Sequence, residues 1–207
     1  MPKLGMGPIR REQICRAAAA VIAREGFAGS TMRMVADEAG VSTGMLNHYF
    51  ENRQDLLTQA LVFVSERSQA RMREAVQGLP PGVERLQALL DTLLKDDEEG
   101  SESWRVWINA HGEAVRLAEL RHTIETRLLG WYELIEHALE GLVTPAEPGS
   151  IPWSWRVDAF LNGLVILELT SEAALDRRGI RETVISMLLA CGESGRAPAL
   201  VGSREGR

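Results

Sequence analysis

Residues 30–50 read STMRMVADEAGVSTGMLNHYF, from Ser30 to Phe50, and this stretch decides the fold. Ala36, Gly40 and Leu46 stand at the spacing of two short helices that meet at a tight bend. A small residue in the first helix lets the second approach. A glycine takes the left-handed conformation at the bend, where a β-carbon is costly. An apolar residue in the second helix locks the pair, and Val35, Ala39, Val41 and Met45 supply the rest of the seam. Thr31 and Ser42 are placed to cap the two helix starts with their side-chain oxygens. The second helix, Ser42 to Tyr49, carries Thr43, Gly44, Asn47, His48 and Tyr49. That face is polar and nearly free of charge, which suits hydrogen-bond and methyl contacts in a DNA major groove. The spacing taken alone also suits an ordinary helical hairpin.

Around this motif the chain has 207 residues, room for a small module and one larger domain. No run of about 18 uncharged apolar residues appears, so no membrane span is expected. The N-terminus is basic at Lys3, Arg10 and Arg11 but lacks the apolar core of a secretory signal. Cys15 and Cys191 lie in helical patterns and read as small hydrophobes of a reducing, cytoplasmic compartment. The net charge of −6 opposes nucleic acid, but it is unevenly spread. Residues 1–50 hold six basic and four acidic side chains, against 17 and 25 in the remainder. Phosphate attraction depends on the local face rather than the total.

The rest of the chain reads as helices. Residues 1–8 form an N-terminal arm, and the first helix runs from about Arg10 to Glu25, ended by Gly26. A long helix follows from Asn52 to about Gln77, stopped by Gly78-Leu79-Pro80-Pro81-Gly82. Further helices are expected over 83–94, 103–115, 124–142, 153–175 and 180–191. Asp96-Asp97-Glu98-Glu99-Gly100 reads as a solvated loop and Arg177-Arg178-Gly179 as a turn. The whole is all-α, with a disordered tail at 193–207. Units of 1–57 for the motif and 58–192 for the second domain follow.

Gly40-Val41-Ser42-Thr43-Gly44 leads to Tyr49-Phe50, then to Arg53 and Leu56-Leu57 opening another helix. Over about residues 8–60 this block resembles the DNA-binding domain of the TetR family of transcriptional regulators. The opening Met1-Pro2-Lys3-Leu4-Gly5-Met6, then Arg10-Arg11, and the form His48-Tyr49-Phe50 are most similar to the BetI type, repressors that respond to choline. Many members carry Tyr-x-His-Phe, so Asn47 departs from the commonest pattern. The resemblance implies a nine-helix, TetR-like architecture and a homodimer on a near-palindromic operator. It implies a ligand-responsive repressor, neither enzyme nor cofactor protein. Carried onto this chain, Thr43, Gly44, Met45 and His48 meet base edges. Asn47, Tyr49, Thr31 and Arg53 hold phosphates, with Ser42 capping the reading helix. Arg33 is the candidate for a bidentate guanine contact, and pairing with Asp37 is its competing role.

All five tryptophans fall after residue 100. Trp104, Trp107 and Trp131 lie on the inward faces of consecutive helices, and tryptophan faces recognise quaternary ammonium groups. Two readings stand: core filling, or a pocket for choline or a related cation with His111 or Asn162 at a polar end. Its carboxylate is left open among Glu113, Asp158 and Glu168. A polyamine, a lipophilic drug or an acyl thioester remains an alternative effector. His111, His122 and His137 lack metal-ligand spacing, so no metal site is expected.

Overall fold

The computed structural model describes residues 6–172 and 175–194. Lys3 and the rest of residues 1–5, and the tail from 195 to 207, lie outside them. Among the described residues there are nine helices and no strand. They are α1 (Met6–Gly29), α2 (Met32–Ala39), α3 (Thr43–Tyr49), α4 (Arg53–Ala75) and α5 (Val83–Leu93). α6 (Glu98–Ala114), α7 (Ala118–Leu139), α8 (Trp153–Thr170) and α9 (Arg177–Ser194) complete the order.

The bend forms as its residues demand. Thr31 Oγ1 accepts the Met34 N–H (3.2 Å) at the start of α2, and Ser42 Oγ accepts the Met45 N–H (3.2 Å) at the start of α3. Gly40 sits at φ 64°, ψ 35°, and its N–H turns back onto the carbonyls of Ala36 and Asp37. Val35, Ala36 and Leu46 are buried and close the angle between the two helices. Gly26, at φ 72° and ψ 171°, breaks α1 at the position where the sequence ends it, and one further turn runs to Gly29.

Helix ends elsewhere differ from the sequence reading where caps decide. The acidic run expected as a loop is the beginning of α6. Asp97 Oδ1 accepts the Gly100 N–H (2.8 Å), and Glu98 and Glu99 fill the first turn, where the helix dipole favours negative charge. Arg177 and Arg178, expected in a turn, open α9. Arg177 is buried there, its guanidinium 2.9 Å from the Glu168 carboxylate on α8.

Two apolar cores result. The first joins Ile14, Ala18, Val21 and Ile22 of α1 to Val35, Leu46 and the first half of α4. It also takes Val106, Ala110 and Ala114 from α6. The second gathers Met72 and Val76 at the far end of α4 with α5, α7, α8 and α9. α6 contributes to both, because Trp104 lies in the second core, on a different side of the helix from the Val106–Ala110–Ala114 row. α4 likewise passes from one core to the other.

An alanine at Gly40 would meet no heavy atom within 4 Å, so its cost is conformational only. Gly40→Ala should therefore destabilise the protein by about 1 kcal/mol through the left-handed backbone alone. That is a fall of roughly 2–4 °C in melting temperature for a chain of this size, read by calorimetry.

Candidate functional site

The first candidate site lies beside the start of α4 and the second along its latter half. At the first, α3 stands on the surface with Thr43, Gly44, Met45, Asn47 and His48 exposed, together with Thr31 and Ser42. Leu46 faces inward and is fully buried, which fixes the rotation of the helix and hence this outer face. Tyr49 is partly buried against the core, its ring edge-on to His48 at 5.2 Å. Arg33 projects from α2 with its side chain 87% exposed and only a loose approach to Asp37 (3.9 Å). A long, solvated guanidinium beside a polar helix is free to meet a base edge.

Arg53 has a different placement. Its guanidinium donates to the carbonyls of Ser30 (2.5 Å), Ala28 (3.1 Å) and Phe27. These are the groups left without helical partners where α1 ends. Arg53 thus ties the start of α4 to the α1–α2 connection. This role was not legible in the sequence, since the partners lie 23–26 residues away. Asn52 caps the same helix start through the Asp55 N–H (2.9 Å).

The second site is a cavity of about 70 Å³ where α4 crosses between the two cores. Trp104, Trp107, His111, Trp131 and Asn162, from α6, α7 and α8, all line it. So do Ser65, Ser68, Gln69 and Met72 from α4. The two other tryptophans lie elsewhere: Trp153 packs under Arg156, and Trp155 is exposed beside Tyr132. Trp104 Nε1 donates to the Leu93 carbonyl (3.0 Å) and Trp131 Nε1 to Asp158 Oδ1 (3.0 Å), so both indoles are fixed by their polar edges. His111 Nδ1 lies 2.9 Å from the Trp107 carbonyl. A carbonyl only accepts, so Nδ1 carries the proton.

Of the three carboxylates left open by the sequence, Glu168 is committed to Arg177 and Glu113 to Arg116 (3.1 Å). Asp158 alone of the three lines the cavity. Burial holds its carboxyl above the usual range. Hydrogen bonds from Trp131, Asn162 and Tyr132 and the nearby His111 favour the ionised form and offset part of that effect. The Asn162 amide donates to the Asp158 main-chain carbonyl (2.8 Å), one turn away on α8. The cationic side chains of the lining are each paired: Lys95 with Asp97, Arg71 with Glu99 (2.7 Å), and Arg127 with Glu66 (3.1 Å). The lining is therefore aromatic at Trp104, Trp107 and Trp131, and of its carboxylates Asp97, Glu99 and Asp158 only Asp158 has no cationic ion-pair partner among the described residues. Such a site prefers a cation. No group of His, Cys, Asp and Glu among the described residues is placed to hold a metal ion. No helix among them is long and apolar enough to cross a membrane.

Residues 14–60 match the tetR family of bacterial regulatory proteins, and residues 82–192 match the C-terminal region of BetI-type transcriptional repressors. The HTH-type transcriptional regulator BetI of Vibrio vulnificus is 32% identical over 136 residues, which cover 62% of this chain and 68% of that protein. Its counterpart in Rhizobium meliloti is 31% identical over 124 residues, 60% of this chain and 61% of that one. A transcriptional regulator of Saccharomonospora viridis, solved in complex with choline, superposes with a TM-score of 0.76 at 21% identity, covering 87% and 96% of the two chains. AibR, solved with isovaleryl coenzyme A and operator DNA, superposes at 0.63 with 22% identity, covering 87% and 98%. At these identities the solved structures speak for the fold.

Replacing Arg53 by alanine leaves three carbonyls without their donor. The expected loss is about 1–3 kcal/mol of stability, as for other charged hydrogen bonds. It should appear as a lower denaturation midpoint even without DNA.

Proposed function

Because the chain belongs to the TetR family of bacterial regulators and carries a BetI-type C-terminal region, we propose a repressor that binds its operator as a dimer and leaves it when a quaternary ammonium effector such as choline is bound. The motif within residues 1–57 reads DNA, and residues 58–192 bind effector and pair the protomers. Thr43, Gly44, Met45 and His48 face base edges, with Arg33 on guanine. Thr31, Asn47, Tyr49 and Arg53 hold phosphates, with Arg53 also serving the tie described above. α8 and α9 expose Ile166, Leu167 and Leu189, an apolar surface suited to a two-fold partner. The protein works by binding, without a catalytic step, in the cytoplasm beside the chromosome.

One observation carries the effector: three indoles, two from α6 and one from α7, line one cavity whose Asp158 carboxylate has no cationic ion-pair partner among the described residues. Aromatic faces attract a methylated ammonium and pay little desolvation, and Asp158 supplies the opposite charge. The effector shifts a two-state equilibrium towards a form whose reading helices are wrongly spaced for the two half-sites. A differential affinity of a few kcal/mol empties most operators.

The test is a band shift on the DNA upstream of the protein's own gene, repeated with choline, a polyamine, a lipophilic cation and an acyl thioester. Choline should release the DNA and quench tryptophan fluorescence, and release by another compound alone would overturn the cation assignment. Asp158→Asn should weaken choline binding about tenfold or more, roughly 1.4 kcal/mol, with the fold kept. A proton competes with the cation for Asp158, whose pKa is raised. Choline affinity should therefore fall as the pH is lowered, and that dependence should vanish in Asp158→Asn. Arg33→Ala should relax sequence preference, whereas equal loss on operator and random DNA would remove Arg33 from base reading.

A further inference from the structure

We infer that Glu99 couples the effector cavity to the DNA-reading unit through Arg67 and Glu12. This rests on the cation reading of the cavity given above. Glu99 lies in the first turn of α6 and lines the cavity. Its Oε1 receives Arg71 Nη1 at 2.7 Å and Arg67 Nη2 at 3.1 Å. The two arginines stand one turn apart on α4, so one carboxylate bridges both. Arg67 also reaches beyond the cavity. Its Nη1 lies 3.8 Å from Glu12 Oε1 on α1, which in turn takes Arg16 at 3.2 Å. Arg16 and Arg67 both sit over the Phe63 ring, at 5.8 and 5.5 Å. Three helices are thereby tied by one chain of alternating charge, from the cavity wall to the first helix of the DNA-reading unit.

The physical consequence follows from competition for a single oxygen. Two guanidinium groups on one helix face repel each other, and Glu99 is the carboxylate that bridges both. A cation held at Asp158 sits in the cavity that Glu99 and Arg71 also line, so it draws on the Glu99 carboxylate and repels Arg71. Arg67 then loses its anchor on α6 while keeping Glu12 on α1. The empty cavity therefore favours the arrangement in which α1, α4 and α6 are held together. An occupied cavity loosens it. Glu12, Arg16 and Arg67 do not line the cavity, so they act on the response rather than on effector capture.

The closing experiment measures operator affinity by fluorescence anisotropy with and without saturating choline, and choline affinity by tryptophan fluorescence. The coupling is the ratio of the two operator affinities, in which any general change in phosphate attraction cancels. Glu12→Gln and Arg67→Gln should leave choline affinity within about twofold. They should reduce the coupling ratio by about two- to fivefold, the scale of an exposed ion pair. Raising ionic strength should erode the ratio in the unaltered protein and not in Glu12→Gln. Full coupling in both variants would overturn the inference while leaving the functional reading intact. An unaltered protein that binds operator but ignores choline would overturn the cation reading, and this inference with it.

Discussion

The packing of α6 against two cores at once is the constraint on which the rest depends. Its Val106, Ala110 and Ala114 row lies with α1, while Trp104 lies with α5, α7 and α8. Trp107 and His111 are left to line the space between. An apolar interior is close-packed and transmits displacement rather than absorbing it. A change in the position of one face of α6 must therefore be met by the other. The helix that forms the cavity wall is also a structural member of the DNA-reading unit, and neither can be repacked without the other.

Gly26 and Gly130 show how closely the layers approach. A β-carbon at Gly26 would lie 2.9 Å from the Asn109 side chain of α6, and one at Gly130 would lie 2.6 Å from Gln69 of α4. The Gln69 amide donates to the Arg127 carbonyl (2.6 Å), so α4 and α7 meet through backbone as well as side chains. α4 is gripped at its start by Arg53, and in its second half by Glu99 through Arg67 and Arg71 and by α7 through Gln69. The long helix expected over residues 52–77 is held at three points, two of them beside the cavity.

The sequence disclosed what depends on near neighbours. Ala36, Gly40 and Leu46 specify the bend within eleven residues, and Thr31 and Ser42 cap where their types predict. Trp104 and Trp107, with Trp131, sit at helical spacings whose inward sense survives folding, and the same is true of His111 and Asn162. What stayed hidden depends on distant partners. The choice among Glu113, Asp158 and Glu168 turns on Arg116, Trp131 and Arg177, and two of these are separated from their partner by loops. The acidic run at 96–99 reads as loop by composition, yet a cap at Asp97 makes it a helix start, which places Glu99 where two arginines of α4 can reach it. The tie from Arg53 to the end of α1 is hidden for the same reason, its partners lying 23–26 residues away.

The central claim is that filling the aromatic cavity is felt through α6 at α1. Hydrogen–deuterium exchange with and without choline tests this most directly. Choline should alter exchange in α6 and, in the same titration, in α1 and the start of α4, with the cavity walls of α7 and α8 protected. A change confined to α7 and α8, with α1 and α6 exchanging as before, would contradict it.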